Sequence, residues 1–234
     1  MGQSFLPAVH GFKFRNSFSG YPVPFDIPFL PEASDNYGLC GGMSAAACDF
    51  YAAGRPIPAA ESVPVKGTQL YDYLYKRQLA TLGQSGSYIL KFLAWMGLPD
   101  DNVHGTRSLT LREEVPEVRR ELEQARPAVI GLVYVSSTES LHLWENHQVV
   151  AYAISDSSES PSSFVLRVYD PNHPARDDIT ISCDKVRVAR VRFLFWWRNF
   201  YGLRCVQHVP GKPDRNVRGF FLMRHGRRIP PTNL

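Results

Sequence analysis

The spacing of apolar residues changes near residue 127, and this change limits the chain to a fold that mixes helices with a sheet. Before that point, apolar residues recur at helical spacing in residues 40–53, 68–82, 88–96 and 112–125. After it, they alternate or form short β-branched runs, as is typical of strands, in residues 128–135, 147–155, 164–170, 186–197 and 219–225. We therefore predict an α+β fold in which a helical lobe is followed by an antiparallel sheet lobe.

Residues at the expected helix ends agree with this division. Thr68 and Ser87 are suitable N-cap residues for the second and third helices. Gly54 and Gly97 are suitable stops for the first and third. Pro116 is compatible with the fourth helix only near its first turn, and the many charges of that helix place it on the surface.

The chain length of 234 residues fits one domain that is large enough to bury a core. We expect an arm over residues 1–37, a helical lobe over 38–126 and a sheet lobe over 127–234 that ends in a basic segment. The prolines between Pro22 and Pro31 exclude a helix in that part of the arm. Its many aromatic residues predict an extended segment that packs on the rest of the protein.

Composition indicates a globular protein that works in a reducing compartment. Hydrophobic residues make up 44% of the chain and charged residues 21%, and no apolar run reaches the roughly 18 to 20 residues of a membrane span. The N-terminal residues lack the pattern of a secretory signal. The four cysteines include no CxxC pair, which argues against a zinc site of the usual kind. We expect a cytoplasmic location.

The C-terminal part of the chain is strongly basic. Between Lys185 and Leu234 there are twelve Lys or Arg residues and one acidic residue, Asp214. Such a segment suits an anionic partner, such as nucleic acid or a lipid surface, or else forms a solvated face that balances the more acidic first half. In both cases we expect it to contribute little to the chemistry.

Cys40 is the candidate nucleophile, because it begins the first predicted helix. Unpaired N–H groups and the helix dipole at that end favour a thiolate over a thiol. Gly41 and Gly42 follow, although glycine costs a helix about 1 kcal/mol relative to alanine. Either a substrate carbonyl or a neighbouring element must therefore come close to the backbone there. Cys48, among alanines in the middle of the helix, is expected to be a core residue.

His147 is the candidate general base, and Asp170 the candidate partner that orients it. Strands 147–155 and 164–170 are separated by a short turn, so they should pair antiparallel. If His147 pairs with Asp170, the alternate residues from Val149 to Ala153 face apolar partners on one side. A carboxylate there would fix the tautomer of the imidazole and stabilise the imidazolium. Asn172 lies on the same face and is the competing third member.

The segment HLWENH, residues 142–147, offers an alternative explanation of His147. Its histidines and glutamate lack the HExxH spacing of a helical metal site, so we favour the catalytic interpretation. We expect no metal and no organic cofactor, because a thiol and an imidazole are sufficient for acyl transfer.

The order of Cys, then His about 100 residues later, then Asp or Asn on the next strand resembles that of the papain-like cysteine peptidase superfamily. The stretches YGLCGGMSAAACDFYAAGRPIP, NHQVVAYA and VYDPNHP also resemble a largely uncharacterised group of microbial proteins within it. The resemblance covers most of residues 11–175. It implies a papain-like fold and a catalytic triad of Cys40, His147 and Asp170.

Two features depart from the family pattern. Ser34 stands where papain-type enzymes carry an oxyanion-hole glutamine, and Cys40 is followed by Gly-Gly-Met instead of the usual CGSCW-type motif. Asn36 could supply the amide instead, or the backbone could act alone. We therefore predict a cysteine peptidase acting on a peptide or another acyl substrate, with an acyltransferase or a non-catalytic papain-like binding protein as alternatives.

Overall fold

The computed structural model describes residues 4–19, 36–83, 86–156 and 163–234, and nearly all of its helical residues precede residue 124. The α-helices are Pro7–His10 (α1), Cys40–Ala52 (α2), Gln69–Thr81 (α3), Ser87–Gly97 (α4), Thr106–Leu109 (α5) and Val115–Glu123 (α6). A π-helical turn covers Thr110–Glu114, and a 3-10 helix covers Ser140–Glu145. None of the described helices has both the length and the apolar composition that a membrane-spanning helix requires.

The strands form two antiparallel sheets of very different size. The first is a two-stranded pair, Phe18–Ser19 (β1) with Asn36–Tyr37 (β2). The second has seven strands: Ala128–Val133 (β3), His147–Asp156 (β4), Ser163–Tyr169 (β5), Thr180–Phe193 (β6), Trp196–His208 (β7), Arg215–Val217 (β8) and Gly219–Leu222 (β9). Their order is β8-β7-β6-β5-β4-β3-β9. The predicted mixture of helices and an antiparallel sheet is confirmed.

The two edge strands of the large sheet are neighbours in sequence, because only Arg218 separates β8 from β9. The sheet must therefore curl until its edges meet. The buried Arg218 side chain holds the junction by donating to the carbonyl oxygens of Met96 (3.1 Å), Leu98 (2.5 Å) and Val135 (2.5 Å) and to Asp100 Oδ1 (2.7 Å).

Curling gives the molecule two apolar cores, one on each face of the sheet. The concave face packs around residues such as Ile130, Leu166 and Phe220, and α6 covers it with Val115 and Val118. On the other face, α2, α3, α4 and the N-terminal arm pack against sheet residues of the opposite parity. A helix bearing Cys40 and a strand bearing His147 thus meet where the helical layer lies on the sheet.

The helix caps follow the sequence in part. Thr68 Oγ1 accepts from the Tyr71 N–H (3.3 Å), as expected of an N-cap. Ser87, in contrast, is the first residue of α4, and the N-cap is Gly86. The prediction for Ser87 is wrong because the chain enters this helix through a left-handed residue (φ 76°), a conformation that glycine adopts without strain.

The fourth predicted helix starts earlier than expected. A helical run extends from Thr106 through the π-helical turn to Glu123, and Pro116 lies in the first turn of its last part, α6, as expected. One face of the run binds the edge strand β9: Thr110 Oγ1 accepts from Phe220 N (3.2 Å), and Glu114 Oε2 accepts from Leu222 N (2.8 Å). Glu114 is buried, so the prediction of a purely surface helix is wrong on this face.

The predicted register between β4 and β5 is also wrong. Ala151 pairs with Val168 rather than with Leu166, and an irregularity follows, because Ala153 pairs with Arg167 rather than with Phe164. Before this bulge the shift is two residues, which preserves the face of each side chain. His147 and Asp170 therefore still lie on one face, although they are not directly opposite each other.

Residues 186–197, predicted to be one strand, are the two arms of a hairpin. β6 and β7 turn at Leu194 and Phe195, and their pairing runs from Thr180 opposite His208 to Phe193 opposite Trp196. The sequence has no Gly, Asn, Asp or Pro at the turn, so the usual marker of a hairpin is missing.

The described part of the N-terminal arm packs on the body as predicted. Phe12, Phe14 and Phe18 are buried, and the only helix in residues 4–19 is the single turn α1. The proline-rich stretch from Pro22 to Pro31 lies outside the described residues.

Candidate active site

Cys40 occupies the first position of α2, directly after the N-cap residue Leu39. From Gly41 to Phe50 the helix is buried, mostly through small residues that let neighbouring elements surround it. Cys40 itself is partly exposed, whereas the other three thiols are buried: Cys48, Cys183 and Cys205. Cys40 is therefore the thiol that a solvent-borne reagent or substrate can reach.

The two glycines after Cys40 serve close packing within the protein. A Cβ on Gly42 would lie 2.2 Å from the backbone oxygen of Leu74 in α3. A Cβ on Gly41 would lie 1.7 Å from the side-chain oxygen of Gln148 in β4. Of the two explanations from sequence, approach of a neighbouring element accounts for both glycines, and it seats the N-terminus of α2 against the start of β4.

His147 begins β4, and Asp170 directly follows β5. The His147 Nε2 and Asp170 Oδ1 atoms are 2.7 Å apart, and both side chains are nearly fully buried. The Cys40 side chain also acts on His147, since its hydrogen bonding and charge help to raise the pKa of the imidazole. Because Nε2 is engaged by Asp170, the nitrogen left to face the thiol is Nδ1.

Asp170 is held by more than the imidazole. Its Oδ1 also accepts from the backbone N–H of Asn172 (2.9 Å), and its Oδ2 accepts from Gln207 Nε2 (3.0 Å). Gln207 Oε1 in turn accepts from the Tyr134 hydroxyl (2.5 Å). The guanidinium carbon of Arg215 lies 3.5 Å from the centre of the Tyr134 ring. Both oxygens of the carboxylate are thus fixed in direction.

Gln207, Tyr134 and Arg215 were not among the residues singled out from sequence. Gln207 and Arg215 belong to the basic C-terminal part, which was expected to contribute little to the chemistry. This part nevertheless reaches the site, since Gln207 contacts Asp170 directly. No sequence signal identified it, because β7 was recognised only at its first residues.

The hydrogen bonds of two asparagine side chains identify which group accepts the hydrogen bond from the Nε2–H of His147. Asn16 Oδ1 accepts from Leu39 N (2.6 Å), so its Nδ2 faces Asn172 Oδ1 (3.0 Å). That leaves Asn172 Nδ2 as the atom 3.3 Å from His147 Nε2. An amide N–H cannot accept a proton from the imidazole N–H. The acceptor is therefore Asp170, and Asn172 is a neighbour of the pair.

The charges of His147 and Asp170 depend on each other. Burial alone would lower the pKa of His147, but the charge of Asp170 and hydrogen bonds to Asp170 and Cys40 raise it to about 10. Burial acts to raise the pKa of Asp170, yet the charge of His147 and the Asn172 N–H hold it below its usual range. At neutral pH the pair is consequently an imidazolium and a carboxylate.

The Tyr134 hydroxyl stays protonated and acts as a donor. Burial and the negative charge of Asp170 raise the pKa of Tyr134, and the nearby Arg215 opposes this only in part. The hydroxyl can then orient Gln207, which in turn orients the carboxylate.

An oxyanion beside Cys40 could be bound by the backbone at the start of α2. The first N–H groups of a helix have no partner within it. That of Gly42 donates to Gln78 Oε1 (2.8 Å), which leaves the N–H of Cys40 nearest to the thiol. The side chain of Asn36 and all of Ser34 lie outside the described residues, so the proposed role of Asn36 stays a prediction.

The histidines of the segment HLWENH, residues 142–147, which was considered as a metal site, have different partners. His142 lies on the exposed 3-10 helix, where its Nδ1 pairs with Glu145, whereas His147 points to Asp170. Among the described residues, no group of three or more His, Cys, Asp or Glu side chains is arranged to hold a metal ion.

No model of a known protein family, no curated protein and no solved structure matches the chain. What the site does must therefore be inferred from its own chemistry. That chemistry is a partly exposed thiol at a helix N-terminus, beside an imidazolium that a buried carboxylate orients.

Proposed function

We propose that the protein is a papain-like cysteine hydrolase in which Cys40, His147 and Asp170 act as a triad. The observation that supports the proposal is the position of His147, whose Nε2 lies 2.7 Å from the buried Asp170 carboxylate and whose pKa is raised in part by the Cys40 side chain. Nucleophile, base and orienting group are the three parts that thiol-dependent acyl transfer needs.

The first half of the reaction uses the protonated imidazole. The Cys40 sulfur attacks the carbonyl carbon of the substrate, and the carbonyl electrons move to the oxygen of a tetrahedral intermediate, which the Cys40 N–H can stabilise. When the carbon–nitrogen bond breaks, His147 Nδ1 gives its proton to the leaving amine. A thioester on Cys40 remains.

The second half returns the site to its starting state. His147 Nδ1 takes a proton from water, whose oxygen attacks the thioester carbonyl. The intermediate collapses with release of the acid product, and sulfur leaves as the thiolate beside the re-formed imidazolium. Asp170 keeps its charge throughout and accepts from the Nε2–H of the ring, so the proton that moves during the reaction is gained and lost at Nδ1.

The test is the rate at which Cys40 reacts with iodoacetamide at pH 6, followed by peptide mass spectrometry. A free thiol with a pKa of about 8.5 is almost wholly protonated there. We expect Cys40 to react at least about tenfold faster than glutathione, because the His147 imidazolium stabilises the thiolate. Cys48 serves as an internal control, since burial raises its pKa to about 12.

Replacing His147 by Ala distinguishes activation of the Cys40 thiol by the imidazole from mere exposure of that thiol to the reagent. The variant keeps Cys40 at the surface, so loss of the fast reaction would assign the activation to the imidazole. If wild-type Cys40 reacts no faster than glutathione, the nucleophile is not activated and a binding protein on a papain-like scaffold becomes the better explanation.

The products of the reaction can show whether the thioester passes its acyl group to water or to an amine. Incubation with a mixture of peptides, with Cys40→Ala as the control, should yield Cys40-dependent products that mass spectrometry can identify. New carboxyl termini indicate a peptidase, which is the activity that the family resemblance favours. Products joined to an added amine indicate an acyltransferase.

A further inference from the structure

The β6–β7 hairpin extends beyond the sheet to which it belongs. Among the described residues, β5 pairs with β6 only up to Asp184, and β8 pairs with β7 only from Cys205 onward. From Lys185 to Arg204, the two strands pair only with each other within the part of the chain that the structure describes. At the base, Gly202 packs against Arg107 of α5. The remainder forms a two-stranded ribbon that projects from the molecule.

The tip of this ribbon is apolar and exposed. Leu194 is 82% exposed and Phe195 94%, and the two tryptophans that follow are each more than half exposed: Trp196 and Trp197. Isolated apolar residues are common on protein surfaces, but four consecutive large ones at the end of a projection are the kind of patch that marks a binding site.

The backbone of the turn adopts a strained conformation at a residue with a large apolar side chain. Leu194 has a φ of 47°, in the left-handed region. Two-residue hairpin turns normally place Gly, Asn or Asp at such a position, because a bulky residue is strained there. A leucine that occupies it indicates that the apolar side chain is needed at the tip.

The strands behind the tip carry only positive charge. Between Lys185 and Pro213 the chain has no Asp or Glu, and the ribbon carries five arginines: Arg187, Arg190, Arg192, Arg198 and Arg204. Arg190 lies over the Trp197 ring (4.9 Å). In the β-register, Arg192 is opposite Trp197, and Arg190 is two pairs further from the tip, opposite Asn199. Cations therefore lie roughly 7 to 14 Å behind Leu194, at about 3.3 Å for each residue.

We propose that the tip of this hairpin inserts into the headgroup region of an anionic lipid bilayer. Leu194, Phe195 and Trp196 would enter the boundary between headgroups and acyl chains, where tryptophan is favoured. Arg190 and Arg192 would remain at the level of the lipid phosphates and be attracted by the negative surface. A leucine at the extreme tip suits a lipid interior better than a nucleobase, which needs flat aromatic rings for stacking.

The inference is independent of the proposed hydrolase activity. Ile181 is opposite Gln207, which contacts Asp170, and Phe193 lies twelve residues further along β6. At about 3.3 Å for each residue, the tip is about 40 Å from the candidate active site. The tip of the hairpin therefore neither covers nor completes the site, although Gln207 at the other end of β7 contacts Asp170.

The whole protein is sedimented with sucrose-loaded vesicles. One set is pure phosphatidylcholine, and the other also contains about 30% phosphatidylserine, an anionic lipid. We expect binding to the anionic vesicles only, weakened by salt, with a blue shift of tryptophan fluorescence. The double variant Leu194→Asn with Phe195→Gly should bind at least about tenfold more weakly, because it loses the apolar tip. It should fold normally, since Asn-Gly suits the turn.

A second variant tests the charges. Replacing Arg190 and Arg192 by Gln should weaken binding about fivefold for each arginine and reduce its salt dependence. Two matched controls elsewhere on the surface should bind like the wild type: Ile229→Asn, which removes a side chain that is 87% exposed, and Lys212→Gln, which removes an exposed cation.

Three results would overturn the inference. The first is failure of the wild type to sediment with anionic vesicles, and the second is equal binding by the tip variant. The third is tip-dependent binding of a single-stranded oligonucleotide, measured by fluorescence anisotropy, without any binding to vesicles. That result would assign the hairpin to nucleic acid.

Discussion

The pKa of His147 is raised chiefly by one neighbour, Asp170, with a smaller contribution from Cys40. Asp170 supplies both a negative charge and a hydrogen-bond acceptor to a ring that burial would otherwise keep neutral. Asn172 lies almost as near, but it turns an amide N–H toward the same nitrogen and cannot replace the carboxylate. The pH dependence of the reaction should therefore distinguish the two residues.

Asp170→Asn should move the basic limb of the pH–activity profile to lower pH. In the wild type the proton on His147 is needed for the leaving amine, so activity should fall only as the pH approaches the His147 pKa of about 10. Without the carboxylate the imidazolium loses its stabilisation, its pKa drops, and activity is lost at lower pH. At neutral pH the rate should fall about 10²- to 10⁴-fold, the range in which positioned acid–base groups act.

Asn172→Ala is the matched control, and its basic limb should stay where it is in the wild type. The measurement is kcat/KM from pH 5 to pH 11. An equal shift in both variants would show that Asp170 has no special role in charging the imidazole.

The residues that carry the proposed chemistry could be found from the sequence, and those that support them could not. Cys40 and His147 begin regular elements, and Asp170 follows one, so periodicity and turn chemistry located them. Gln207 and Asn16 reach the site through contacts across 37 and 156 residues, respectively. No local pattern fixes such contacts, because they depend on the register and curvature of the whole sheet.

Among the elements, the position of α2 against α3 and β4 has the most influence on the geometry of the site. Gly42 brings this helix against the backbone of α3, and Gly41 brings it against Gln148 of β4. The position of Cys40 relative to His147 is thus set by two contacts that allow no side chain. The strand pairing behind His147 was predicted less well, because the bulge between Ala151 and Ala153 cannot be seen in an alternating pattern.

Gly42→Ala should destabilise the protein by about 1–3 kcal/mol and slow the alkylation of Cys40. The new methyl group would lie 2.2 Å from the Leu74 carbonyl oxygen, so α2 must move away from α3. Urea denaturation and the iodoacetamide rate measure the two effects.

Gly97→Ala is a control in another helix, where the nearest atom to the new Cβ is 3.9 Å away. It should be neutral or stabilise the protein by up to about 1 kcal/mol, because alanine is the better helix former. If Gly42→Ala is as stable as the wild type, close packing is not the reason for the glycine.

At the scale of the whole molecule, the two edge strands of the curled sheet, β8 and β9, are joined through one residue. Arg218 sits between the two edge strands and satisfies three backbone carbonyls as well as Asp100. Sequence reasoning predicted the last strand and the basic character of this region. It could not predict that one of the arginines is buried, because a solvated and a buried arginine look the same in a sequence.

Arg218→Met should lower the free energy of unfolding by about 3–5 kcal/mol, the usual effect of breaking a buried, hydrogen-bonded ion pair. Arg218→Lys should recover only part of the loss, because one ammonium group cannot reach the three carbonyls and Asp100 together. Arg228→Met, at an exposed side chain, should change stability by no more than about 0.5 kcal/mol. Equal stability of the Arg218 and Arg228 variants in urea would refute this role.

The adjacency of β8 and β9 also determines the order in which the molecule can be completed during synthesis. Until residues 215–222 leave the ribosome, β3 and β7 are both open edges with unpaired backbone groups. One short segment then covers both edges at once, so β3 and β7 gain their outer partners in a single step. A chain that ends before Arg215 would leave both strands as open edges, which is an aggregation-prone form.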